Sequence, residues 1–75
     1  MTKRYRYYCL ERPAGPGAIP RGVVVITNFD QREMVDEIRR EAWGWIEYER
    51  ALTEKEMRDY ELMEAGNGKG ISDQV

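Results

Sequence analysis

The chain has 75 residues, 35% of them charged and 41% apolar, with a formal net charge of -2. That describes one small globular domain with little area to bury, not a disordered chain. One cysteine and no histidine rule out an internal disulfide and remove the usual ligands of zinc and haem, so neither metal nor cofactor is expected.

The charge is unevenly placed. Residues 1–22 hold five basic residues against one acidic, and sum to +4; residues 23–75 hold seven basic against thirteen acidic, and sum to -6. A basic N-terminal segment could face phosphate, and the acidic remainder a basic protein surface. Alternatively the two halves pack together and neutralise each other. The longest apolar run, Val23 to Ile26, is too short to span a bilayer. Thr2-Lys3-Arg4-Tyr5-Arg6 lead into no signal-peptide core, and the expected location is cytoplasmic.

Residues 3–10, Lys-Arg-Tyr-Arg-Tyr-Tyr-Cys-Leu, read as a strand rich in tyrosine. Period two puts Tyr5, Tyr7 and Cys9 on one face, the expected core side. Arg4, Arg6, Tyr8 and Leu10 take the other, the expected solvent or partner side. Residues 11–21 carry three prolines and two glycines and form a loop. Pro13 and Pro16 have a bare PxxP spacing, but the flanking basic residue does not sit where a typical peptide ligand needs it. Gly15 and Gly17 start a dinucleotide fingerprint that fails at Pro20. A long loop in a small domain is a candidate contact surface.

Residues 22–28 form a second strand, dominated by β-branched side chains. Apolar on both faces, it is expected in the centre of the sheet. Next comes helix-start chemistry: Asp30 as N-cap, Glu33 as its reciprocal partner, Phe29 and Met34 as a hydrophobic staple. Met34, Val35, Ile38 and Ala42 share one helical face, and Asp36 and Arg40 are spaced for an ion pair. This predicts a helix over 31–41.

The densest aromatic stretch is Ala42-Trp43-Gly44-Trp45-Ile46-Glu47-Tyr48-Glu49-Arg50, and the rest of the chain is read as elements that cover it. A helical stripe through Ala42, Trp45, Tyr48 and Leu52 competes with a strand. Gly44 in mid-element and the crowd of aromatics favour a strand over 43–50. Thr53 then acts as N-cap with Glu56, and Leu52 staples to Met57, predicting a helix over 54–61. Residues 64–75 read as a flexible tail, and Gly68-Lys69-Gly70 lacks the spacing of a phosphate loop.

No catalytic constellation emerges. Glu47 and Glu49 lie beside the tryptophans, where a carboxylate pKa could shift, but they read more simply as the polar half of a sheet face. Cys9 without histidine is a poor nucleophile and reads as a small buried hydrophobe. Two binding classes remain. Trp43, Trp45 and Tyr8 offer the aromatic anchors typical of protein interfaces. Alternatively, Arg4, Arg6 and Tyr8, extended by Lys3, Arg12 and Arg21, combine charge with a stacking surface for nucleic acid.

Several segments carry a resemblance: Tyr5-Arg6-Tyr7-Tyr8, Arg12-Pro13, Gly17-Ala18-Ile19-Pro20, Ala42-Trp43-Gly44-Trp45-Ile46-Glu47-Tyr48 and Leu52-Thr53. Over roughly residues 4–63 the pattern resembles small proteins of Firmicutes conjugative elements and phages. That resemblance implies no catalytic activity and no particular site residue. It implies a context in which accessory proteins act on host or rival machinery, such as a host defence system.

The sequence therefore predicts an α+β domain over 1–63: a small three-stranded sheet (3–10, 22–28, 43–50) packed with two short helices (31–41, 54–61). The expected function is non-enzymatic protein binding, with inhibition of host defence as the leading context. Binding of nucleic acid is the alternative. The protein partner is unidentified, and a homodimer is an open arrangement.

Overall fold

The computed structural model describes residues 3–65. Four strands and one helix follow in chain order: β1 (Tyr5–Cys9), β2 (Val25–Val35), β3 (Arg40–Tyr48), α1 (Glu54–Asp59) and β4 (Leu62–Glu64). The strands make one sheet in the order β2-β3-β1-β4, with every neighbouring pair antiparallel. The tryptophan stretch is indeed extended, as β3, and is flanked on both sides by other strands.

The fold expected from the sequence needs correcting in three places. The helix predicted over 31–41 does not form. Residues 31–35 continue β2, residues 36–39 turn, and residues 40–41 begin β3. The turn explains the misleading signal. Arg39 N–H donates to the Val35 carbonyl at 2.8 Å, an i+4 bond, and Ile38 N–H donates to the same oxygen at 3.2 Å. One helical turn thus forms, and Arg39 ends it in the left-handed region, at φ 58°. Cross-strand pairing of Glu33, Met34 and Val35 with Ala42, Glu41 and Arg40 overrides the local preference for more. Second, β2 lies at the sheet edge, not its centre, and Val24 and Ile26 are each 44% exposed. Third, a short fourth strand, β4, closes the opposite edge against β1.

The sheet buries side chains on both faces. On one, Tyr7, Cys9, Ile46, Tyr48, Leu52 and Leu62 form the main cluster. It is covered by Ala14, Ile19 and Val23 from the 11–23 segment and by Met57 and Tyr60 from the helical end. The two central tyrosines meet edge to face, ring centroids 6.1 Å apart. Their hydroxyls are satisfied: Tyr48 donates to the Pro20 carbonyl at 2.7 Å, and Tyr7 accepts from Leu52 N–H at 2.8 Å. On the other face Tyr8, Leu10, Ile38 and Ala42 form a second cluster, with Val35, Trp45, Met63 and Ala65 against it.

Two local devices hold the long loop and the hairpin. Asn28 makes a double bond pair with Ala14, accepting from its N–H at 3.0 Å and donating to its carbonyl at 3.1 Å. This clasps the proline-rich loop onto β2. Between Asn28 and Glu33 the ladder slips: β2 advances five residues while β3 moves two, Gly44 to Ala42. Such a bulge bends the strand and changes which side chains face which side. Ala42 lies with Trp45 and Tyr8, although strict alternation would group it with Ile46. The predicted capping box is present, with Thr53 accepting from Glu56 N–H and Glu56 accepting from Thr53 N–H. The tail expected over 64–75 begins at Glu64 within β4, and residues 66–75 lie outside the described residues.

Candidate interaction surface

Cross-strand register assembles the most elaborate polar group on the sheet. Arg6 on β1 stands opposite Glu47 on β3, and Tyr8 opposite Trp45. Direct and diagonal neighbours of this kind are close enough to touch. Arg6 Nε and Nη2 both donate to Glu47 Oε2, at 3.0 and 2.8 Å, while Arg4 Nη1 reaches Oε1 at 3.3 Å. The Arg6 guanidinium also lies 3.7 Å from the Trp45 ring centroid. A stacked arginine is a favourable cation–π contact, worth about 0.5–1 kcal/mol at an exposed site. Burial by itself would lower the Arg6 pKa, and its bonds to Glu47 and Tyr8 reverse that, leaving it raised.

Tyr8 continues the group inward. It is 6% exposed, and its hydroxyl donates at 2.9 Å to Glu37 in the hairpin turn. Burial first, then the bond to Glu37, raises its pKa. Trp43 and Trp45 are both half-buried. Trp45 packs on the second cluster, and Trp43 stands opposite the bulged stretch of β2.

The residues singled out from the sequence thus separate. Arg4, Arg6 and Trp45 come together around Glu47. Tyr8 adjoins them as a buried prop. Arg12 lies elsewhere, bonded to Glu61 next to the helix end. Lys3 sits over the Tyr5 ring at 5.3 Å, and Arg21 is exposed in the loop before β2. Sequence reasoning had no signal for the roles of Glu37 and Asn28, whose partners lie 29 and 14 residues away. Glu47 stood out in the sequence only as a carboxylate beside the tryptophans, and its pairing with Arg4 and Arg6 needed the register of β1 on β3.

Among the described residues no group of acidic or cysteine side chains converges in a way that could hold a metal, and no cleft is present. No helix there is long and apolar enough to cross a membrane. Burial pushes the Cys9 thiol up to about 11, away from the thiolate form that reacts.

These features define a small antiparallel sheet domain whose second face carries an aromatic and charged surface. Residues 2–67 match the family described as defence against restriction A C-terminal, and the chain belongs to that family. The membership agrees with the mobile-element and phage context expected from the sequence, and says nothing of Firmicutes. No curated protein and no solved structure matches the chain.

Proposed function

We propose that this domain serves defence against restriction as a non-enzymatic protein-binding module that inhibits host defence machinery. Its contact surface is the group of Trp45, Arg6 and Glu47 on one sheet face, together with neighbouring Trp43 on β3. Membership of the restriction-defence family is the observation that carries the biological role. The arrangement of the face supports protein as the partner. A half-buried tryptophan, Trp45, stacked against the ordered Arg6 guanidinium has the character of a protein-interface anchor.

The nucleic-acid reading draws less support. Of the five cations it needs, Arg4, Arg6 and Arg12 are ion-paired within the chain, and Tyr8 is buried rather than free to stack. A phosphate would have to compete with Glu47, whose side chain is only 14% exposed and holds both arginines.

The test is entry of unmodified DNA into a restricting host. Expression of the chain is expected to raise entry, and Trp43→Ala to reduce that gain while leaving the thermal melt close to wild type. Unchanged entry on expression of a folded chain would remove the proposal. Full protection by both Trp43→Ala and Arg6→Glu would remove this face from it.

A further inference from the structure

The edge of the sheet at β2 is built in an unusual way for an edge. Proteins normally blunt such edges with charges, prolines, bulges or short strands, because an unpaired strand recruits another. The far edge follows that practice: β4 has three residues and ends in Glu64. In β2 the bulge and the charges begin only after Asn28. The segment before it, Val24-Val25-Ile26-Thr27-Asn28, contains neither charge nor proline. Ile26 lies on the face of the main cluster, since it stands opposite buried Ile46, and Val24 comes just before β2, its N–H donating to the Glu47 carbonyl at 2.8 Å. Yet each of them remains 44% exposed.

From this we infer that the Val24–Asn28 edge pairs with the same edge of a second copy of the chain. The copies run antiparallel about a two-fold axis at Ile26, joining two four-stranded sheets into one. In that register Ile26 faces Ile26 of the second copy, Val25 faces Thr27, and Val24 faces Asn28. Cross-strand side chains then lie about 5 Å apart, so the two exposed Ile26 side chains cover each other and extend the main clusters toward one another.

Charge selects the antiparallel second copy. The charges nearest the segment are Arg21 before it and Asp30 after it, neither ion-paired among the described residues. An antiparallel copy brings Arg21 of one chain to the Asp30 end of the other, at both ends of the ribbon. A parallel copy would set like against like. The contact is isologous, so it closes at two chains and does not extend into a fibre. A five-residue ribbon buries less than a standard interface of about 1,600 Å², so a dissociation constant of order micromolar is expected.

Sedimentation of the full chain over a concentration series tests this. A monomer–dimer equilibrium is expected. Ile26→Lys sets two like charges directly opposite each other and should weaken the dimer roughly 100-fold or more. Met34→Lys, on the same strand beyond the bulge, should leave it unchanged. Near-UV circular dichroism of the tryptophans reports whether each variant keeps its fold. Should Ile26→Lys not fold, Ile26→Cys decides: opposed across the two-fold, its thiols lie within disulfide range and should cross-link on mild oxidation, while Met34→Cys should not. Buried Cys9 does not compete. A wild type that stays monomeric overturns the inference, as does a dimer that survives Ile26→Lys or a cross-link formed equally well from position 34. A monomer whose Ile26→Lys variant loses protection in cells also overturns it, and assigns the edge to another protein's strand. The association is measured on purified chain, so it can fail while the restriction role stands, or the reverse.

Discussion

Gly44 decides how closely β2 can lie on β3. A Cβ built there would fall inside the van der Waals shell of the Thr27 carbonyl oxygen and 2.8 Å from the Asn28 Cα. Both obstacles are backbone, so neither can swing away. Gly44→Ala should therefore destabilise the domain by about 2–3 kcal/mol or more, as overpacking does, read as a fall in the urea midpoint. The sequence held this glycine in plain view, but only as a weak argument against helix. Its close contact depends on a strand 16 residues away. Tyr48 shows a different dependence. Burial pushes its hydroxyl up to about 12, from an ordinary value of 10. The folded state therefore keeps a proton that the unfolded chain gives up first, and the resulting stability is complete below pH 10 and drains away between pH 10 and 12. Tyr48→Phe loses the bond to Pro20, at a cost of about 1–3 kcal/mol for the carbonyl left unpaired. Its stability should then fall less steeply above pH 10 than that of wild type, in urea titrations at a series of pH values.

Elements with local causes were legible, and those with distant causes were not. The start of α1 lies within four residues, Thr53 to Glu56, and both bonds of its capping box are where the sequence put them. Thr53→Ala should cost about 1 kcal/mol, measured by thermal melting. Glu56 also takes both nitrogens of Arg50 at 2.9 Å. Arg50 first, then the Thr53 N–H, holds its carboxyl at about 2, against 4.5 unperturbed. Its stabilisation is present above pH 4.5 and is lost as pH falls toward 2. Glu56→Gln should flatten that acid limb, and added salt should shrink the difference, since the pair is exposed. The same capping chemistry at Asp30 and Glu33 misled, because a box signals only that a helix can start. Five residues after Asp30, Val35 pairs with Arg40, and the strand continues. Ile38 illustrates how a pattern can be right about burial and wrong about form. It is buried as the helical stripe required, but as the tip of a hairpin lying on Tyr8 and Ala42. Ile38→Ala should remove that cover, accelerating hydrogen exchange at Phe29–Glu41 far more than at Tyr7 or Ile46, because the hairpin can open by itself.

Across the whole molecule, the two halves of opposite charge meet through individual ion pairs. Arg4 and Arg6 from the basic half close on Glu47 of the acidic half, and Arg12 closes on Glu61. Composition showed the asymmetry; only the register of β1 on β3 shows that it is largely spent inside the chain. Phosphate affinity should follow from that. Each phosphate contact made by a free cation steepens the dependence of log K on log salt by about 0.9 for duplex DNA. With Arg4 and Arg6 engaged, wild type should bind a fluorescent duplex weakly and with a shallow slope. Glu47→Gln keeps the shape of the side chain but releases both arginines, and should bind more tightly with a slope steeper by roughly one to two. Arg4→Gln and Arg6→Gln introduced together with Glu47→Gln should return the slope to that of wild type. If wild type already shows the steep slope, and Arg4→Gln with Arg6→Gln abolishes it, then Glu47 yields its partners to phosphate and the face is a nucleic-acid surface after all.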